Sequence, residues 1–289
     1  MLRRIVFFAL VALLSASCNE QKPGFTLWQL PPQGPSQMNS YVIRTNAGRI
    51  VMIDGGTADD APYLRGFLGA LGNEVAAWII THPHADHMGA LTEILKNPGD
   101  IRIGMIYHSP MTEEQLATDA RRHALARTFY EALEASDTPR TELTEPGLEL
   151  AVDGLHLKVL QVNDRSTTVN AYNNASIVLR LWDGRKSLLM LGDTGEESGD
   201  RLLATVPEDE LSCDYIQMAH HGQMGVKDDF YRTVDFRACL WPTPLWVWNN
   251  DVGEGYDTAW MKTPHTRALM DELGIEEHYC AWQGLVKIE

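Results

Sequence analysis

The stretch that most constrains this chain is Thr81-His82-Pro83-His84-Ala85-Asp86-His87-Met88, with three imidazoles and a carboxylate between positions 82 and 87. It follows the apolar run Val75-Ala76-Ala77-Trp78-Ile79-Ile80 and precedes Gly89-Ala90-Leu91-Thr92-Glu93-Ile94-Leu95-Lys96, whose apolar residues recur at helical spacing. The pattern predicts a loop between a buried strand and a helix, where α/β proteins place active sites. Neutral imidazole suits zinc, iron and other first-row metals, and carboxylate adds charge and hardness. In an extended His-x-His the two rings point the same way, because side chains repeat with period two. Asp86 and His87, at the helix start, turn toward a second point. That geometry suits two metals a few ångströms apart. A surface or capping role explains a lone histidine better than it explains four ligand-type residues at this spacing.

Other segments end in chemistry of the same kind. Residues 40–44 and 49–53 are β-branched runs joined by Thr45-Asn46-Ala47-Gly48, a predicted hairpin that runs into Asp54-Gly55-Gly56. Residues 61–71 read as a helix, 101–107 as a strand, and 112–136 as one long amphipathic helix. Two strand-like runs flank Asp153-Gly154. A polar loop, 163–174, leads into a hairpin over 175–191 that ends at Gly192-Asp193-Thr194-Gly195. Residues 213–219 read as a strand that delivers His220-His221-Gly222. Strands of one sheet can bring such ends together although they are far apart in sequence.

His82-x-His84-x-Asp86-His87 resembles the signature of the metallo-β-lactamase-fold hydrolases. Asn173-Asn174-Ala175-Ser176, then Gly192-Asp193, then His220-His221-Gly222 is similar, in that order, to two of their branches. One is the hydrolase domain of DNA-uptake competence proteins (ComEC/Rec2-type). The other is the secreted phosphorylcholine esterases. The resemblance implies an α/β fold, an αββα sandwich with a dimetal site at the edge of the two sheets. It implies that His82 and His84 bind the first metal, Asp86 and His87 the second, and that Asp193 bridges both. One of His220 and His221 completes the second site. His220 is favoured, because related members place the ligand two residues before the glycine, and the other histidine then faces substrate. Asp54 would orient the histidine loop from behind. His265, in Thr263-Pro264-His265, resembles a histidine of the competence-type domains and would line the pocket. One departure stands out: many members supply a third histidine to the first metal from a loop before the penultimate hairpin, and loop 163–174 has none. Asn163, Asp164 or Asn173 could give an oxygen there, or water could fill the position.

Two divalent ions are therefore expected, zinc first, with manganese or iron also compatible. The implied reaction is metal-assisted hydrolysis by a hydroxide shared between two cations. Asp86 would orient that nucleophile, and the non-ligand member of His220 and His221 would stabilise the developing oxyanion. The branch points to a phosphodiester or phosphoryl ester in a small molecule or head group. Lactone, thioester or β-lactam hydrolysis on the same fold is the alternative, as is a non-catalytic ligand-binding lipoprotein. Trp241, Trp246, Trp248, Tyr256 and Trp260 could hold a quaternary ammonium group, although core or lid packing is the simpler role.

A formal net charge of −15 over 289 residues lacks the footprint of a general nucleic-acid binder. Residues 1–18 read as a lipoprotein-type signal: Arg3 and Arg4 precede an apolar run, and Ser15-Ala16-Ser17-Cys18 resembles a lipobox. Lipid on Cys18 would anchor the protein to a bacterial membrane outside the cytoplasm; a simple secretory signal cleaved nearby, or an uncleaved anchor, is the alternative. Residues 19–37 read as a tether and 38–289 as the hydrolase domain. Cys213, Cys239 and Cys280 are too far apart for a disulfide framework or zinc ribbon. Nothing in the sequence speaks to the oligomeric state.

Overall fold

The computed structural model describes residues 24–289. The expected signal segment and Cys18 lie outside them. The described chain opens with β1 (Phe25–Gln29) and the hairpin β2 (Ser40–Thr45) and β3 (Ile50–Asp54). Helix α1 (Ala61–Ala70) leads to β4 (Glu74–Ile80) and α2 (Ala85–Lys96). Next come β5 (Arg102–Ile103), β6 (Ile106–His108), α3 (Glu113–Leu116), α4 (Ala120–Ala135) and β7 (Arg140–Glu142). The second half starts with β8 (Glu149–Val152), β9 (Leu155–Gln161) and α5 (Ala171–Asn174), then the hairpin β10 (Val178–Trp182) and β11 (Ser187–Met190). It continues through α6 (Glu196–Thr205), α7 (Glu208–Leu211), β12 (Cys213–Gln217), α8 (Asp228–Thr233) and β13 (Phe236–Trp241). Helices α9 (Leu245–Trp248) and α10 (Thr263–Glu272) precede β14 (Glu277–Cys280) and β15 (Val286–Ile288).

These strands make two sheets. One runs β15-β1-β2-β3-β4-β6-β7, with β5 also on β4; the other runs β14-β13-β12-β11-β10-β9-β8. The period-two alternation of β4 shows how they stack. Ala77 and Ile79 join the core between the sheets, with Val51 and Ile53 from one side and Leu157, Leu179 and Met190 from the other. Trp78 and Ile80 point the opposite way, into a layer with Leu64, Leu91, Ile94 and Phe129 of the helices. A matching layer covers the second sheet, where Leu189, Ile216 and Trp241 pack on Leu202, Phe230 and Leu269. A strand buried on both faces reads as an unbroken apolar run, which is how β4 appears in sequence. The architecture is helices, sheet, sheet, helices, as the αββα expectation stated. Among the described residues no helix is long and apolar enough to cross a membrane, and the three cysteines are free.

Three expectations are corrected. The stretch 19–37 is not wholly a tether, because β1 lies within it and pairs with both β2 and β15. The helix expected over 112–136 is two helices. Thr112 caps the first in a capping box with Gln115, and the Asp119 side chain accepts from the Arg121 and Arg122 amides at 3.0 Å to begin the second. The strand expected over 101–107 is likewise split into β5 and β6.

Candidate metal centre

Strand β4 ends at Ile80, and Asp54 at the end of β3 pins the histidine loop just beyond it. Asp54 Oδ1 accepts from the Thr81 amide at 2.8 Å. Its Oδ2 accepts from Asn39 Nδ2 at 2.6 Å, Thr81 Oγ1 at 2.8 Å and His87 Nδ1 at 2.7 Å. A fully buried carboxylate is costly unless its lone pairs are met, and here both oxygens are occupied by donors. Because Nδ1 of His87 donates to Asp54, its Nε2 carries the free lone pair. His84 begins helix α2 with extended backbone, and the His87 and Met88 amides close on its carbonyl at 3.1 and 3.0 Å. That turn sets His87 back toward His82, ring centroids 4.1 Å apart.

Strand β11 delivers Asp193. The buried Gln217 side chain holds its approach: Oε1 accepts from the Leu191 and Gly192 amides at 2.8 and 2.6 Å, and Nε2 donates to the Gly192 carbonyl at 2.9 Å. Ser176 Oγ accepts from the Asp193 amide at 3.0 Å and lies 3.3 Å from His82 Nδ1. Asn174 Oδ1 accepts from the Gly195 amide at 3.1 Å.

Strand β12 delivers the histidine pair. His220, His221 and Gly222 all have left-handed backbone, with φ of 50°, 56° and 76°. Such residues cost on the order of 1–3 kcal/mol each outside glycine and persist where surroundings enforce them. Here the His220 amide donates to the Gly192 carbonyl at 3.0 Å, and Thr243 Oγ1 donates to the His221 carbonyl at 2.7 Å. His221 Nδ1 donates to the Pro242 carbonyl at 2.6 Å, which leaves its Nε2 free to face the site.

The carboxylate of Asp193 divides the centre. Its Oδ1 lies 3.2 Å from His87 Nε2 and 3.6 Å from His221 Nε2. Its Oδ2 lies 3.6 Å from His82 Nε2 and 3.8 Å from His84 Nδ1. Two donor sets result, His82, His84 and Asp193 on one side and Asp86, His87 and His221 on the other, each with ligand atoms within 4.8 Å of one another. His87 Nε2, His221 Nε2 and Asp193 Oδ1 are buried without a hydrogen-bond partner. Buried polar atoms left so are expensive, and their convergence on one point fits a cation. The donor set of imidazole and carboxylate suits a divalent first-row metal.

The electrostatics agree. Burial would raise the Asp193 carboxyl, but the cationic forms of His87, His221 and His220 outweigh it and hold the group well below the usual carboxylate range. Burial together with neighbouring His87 and His84 pushes His82 well below the usual imidazole range, so its lone pair is available. Burial opposes protonation of His87 too, yet the Asp193 and Asp54 carboxylates override it and raise the ring, which makes its Nε2 a position where positive charge, a proton or a metal cation, is favoured.

His82, His84, Asp86, His87, Asp193 and the 220–221 pair thus meet at one place. The expected order of that pair is corrected: His221, not His220, joins Asp86 and His87, with Asp86 Oδ2 at 3.0 Å from His221 Nε2. His221 is therefore not the free, substrate-facing histidine, because its backbone and Pro242 aim the ring inward. His265 is not at the centre. It is exposed, pairs with Asp228 at 2.8 Å, and lines a separate cavity of about 230 Å³ with Lys227 and Lys262. The five aromatics form no single cage: Trp241 and Trp248 pack edge to face with centroids 5.2 Å apart, and the others lie elsewhere. Trp241 is buried under Gly222, Trp246 donates to the Pro35 carbonyl, and Tyr256 and Trp260 are exposed. Gln217, Ser176 and Asn39 were missed as positioning residues. The Asn-Asn-x-Ser motif carried a signal for Ser176, whereas Gln217 has none, being one polar residue at a strand end.

The model of the Metallo-beta-lactamase superfamily matches residues 33–217. No curated protein sequence matches the chain. Among solved structures, the chain is similar to the metallo-β-lactamase-fold protein YhfI from Bacillus subtilis, at 14% identity and TM-score 0.55, covering 92% of this chain and 100% of that one. It is also similar to a mutant of the CmlA β-hydroxylase, at 13% identity and TM-score 0.54, covering 93% of this chain and 55% of that one. The chain thus spans about half of the hydroxylase's length. A diphosphatase from the PhnP family aligns at 12% identity and TM-score 0.48, covering 91% of this chain and 97% of that one.

Proposed function

The chain belongs to the metallo-β-lactamase superfamily, and from that premise we propose that it is a metal-dependent hydrolase of a phosphodiester or phosphoryl ester. The observation that carries a two-ion reading is the single Asp193 carboxylate offering one oxygen to each set of imidazoles. Two divalent ions bound there, zinc first, would supply Lewis acidity toward the ester and a water acidic enough to attack at neutral pH. The protein's part is to aim the donors. Asp54 and Pro242 hold the rings of His87 and His221 by their Nδ1 atoms, and Ser176 stands behind His82. Asp86 is less buried than Asp193, so its oxygen can orient water as well as bind a cation.

The ester class rests on the branch motifs, and their placement supports it. Asn174, Ser176, Gly192 and the His220 amide all bond around Asp193, so the motif is one structural unit rather than scattered matches. A small or head-group substrate agrees with the net charge of −15, which opposes long nucleic acid. The test is turnover of a bis-aryl phosphodiester, a phosphocholine ester, a lactone and a chromogenic cephalosporin by one metal-loaded sample, beside Asp193→Ala and a chelated control. Phosphoester turnover that Asp193→Ala abolishes without unfolding is expected. Lactone or cephalosporin turnover alone would overturn the ester class. Near-zero bound metal after purification with added zinc or manganese would favour a non-catalytic binding protein. The proposal also places the protein outside the cytoplasm with lipid on Cys18. Cys18→Ala should then release it from the membrane fraction without detergent.

A further inference from the structure

We infer that His220 is the third imidazole of the first metal position, the role left open by a loop 163–174 without histidine. This deepens the two-ion reading above and rests on it. Three observations carry it. His220 Nε2 lies 3.8 Å from Asp193 Oδ2, the same oxygen that faces His82 Nε2 at 3.6 Å and His84 Nδ1 at 3.8 Å, while His87 and His221 face Oδ1. His220 Nδ1 is 3.2 Å from the Met224 carbonyl, so Nδ1 carries the proton and Nε2 the lone pair, the same arrangement His221 has with Pro242. Ligating histidines characteristically donate their other nitrogen to a carbonyl or carboxylate in this way. Third, successive left-handed residues send adjacent rings to opposite oxygens of one carboxylate, which neither a strand nor a helical turn would do.

The competing oxygen donors of the loop are mostly committed elsewhere. Asn163 Oδ1 accepts from Gln115 Nε2 at 3.0 Å, and Asp164 holds Ser166 and the Arg201 guanidinium. Asn173 keeps a buried Oδ1 without a partner and is the rival among the loop's side chains. With His220 in place, the first position has three imidazoles and the shared carboxylate, and the second has two imidazoles and two carboxylates. The first is then the nitrogen-rich site and favours zinc, while the second is the one that tolerates manganese or iron.

The test titrates Co2+ into metal-free wild type, His220→Gly, His221→Ala and Asn173→Ala, reading metal count, the visible d–d spectrum and imidazole number by X-ray absorption. His220→Gly keeps left-handed backbone accessible, so the fold is not put at risk by the backbone change. Its first ion should bind more weakly by on the order of tenfold or more, with one imidazole fewer across the pair, and added free imidazole should restore both. His221→Ala should instead weaken the ion held by Asp86 and His87, and Asn173→Ala should change neither. An unchanged titration and spectrum for His220→Gly, or first-site loss in Asn173→Ala, would overturn the His220 assignment alone. Wild type that binds no Co2+ would overturn the two-ion reading with it.

Discussion

Asp54 Oδ2 accepts a hydrogen bond from His87 Nδ1 at 2.7 Å, tying the end of β3 to the first turn of α2. The same carboxylate meets donors from Asn39 and Thr81. An amide in its place must turn one N–H2 toward a donor, since only a carboxylate accepts on both sides. Asp54→Asn should therefore weaken metal binding about 10–100-fold and destabilise the fold by about 1–3 kcal/mol. Metal titration and urea unfolding measure the two effects separately.

Gly222 lies at φ +76°, and a Cβ there would stand 2.6 Å from Trp241 Cε3. Left-handed backbone costs a non-glycine residue about 1–2 kcal/mol before the clash is counted. Gly222→Ala should lose more than about 2 kcal/mol and disturb His220 and His221. Trp241→Leu makes room for the methyl. In a double-mutant cycle the double mutant should lose less than the sum of the two single losses.

His108 ends β6 with its Nδ1 buried and unpartnered, its ring 6.1 Å from Phe129 and 6.0 Å from Tyr130. Burial, with help from the Arg140 cation, lowers its pKa from 6.5 to about 4. Between those values the unfolded chain takes up a proton that the folded chain refuses. Stability from this group is thus fully present above the unfolded pKa and falls as pH drops through the window, by about 3 kcal/mol at its acid end. Urea unfolding near neutral pH and at about pH 4.5 should show a smaller acid loss for His108→Phe than for wild type, by about 2–3 kcal/mol.

Gly89 sits inside α2, where alanine would ordinarily gain about 1 kcal/mol in helix propensity. A Cβ there would meet the Ala58 amide nitrogen at 2.6 Å and the Thr57 carbonyl carbon at 2.8 Å. Backbone cannot swing aside as a flexible side chain can, so the clash should win by about 1–3 kcal/mol. Because α2 carries Asp86 and His87, thermal unfolding and metal affinity should both fall in Gly89→Ala.

Much of the fold was legible because its signals are local. The unbroken apolar run of β4, the hairpin of β2 and β3, and the 3.6-residue pattern of α2 are each carried by one short continuous stretch of chain. The break at Asp119 was harder, since an aspartate within a helical pattern becomes a cap only when its side chain turns back on the next amides. Strand β1 hid in a Pro- and Gly-rich segment because its hydrogen-bond partners are β2 and, from the far end of the chain, β15.

What the residue types and spacing decided by themselves was the chemistry: imidazoles and carboxylates at strand ends, in a chain that could bring those ends together. Which ring serves which oxygen of Asp193 was decided only in three dimensions. Ring direction depends on φ and ψ, and at His220 and His221 these are left-handed values that no local pattern announces. They are held there by Gly192, Pro242 and Thr243, which reach the pair only after the strands have paired.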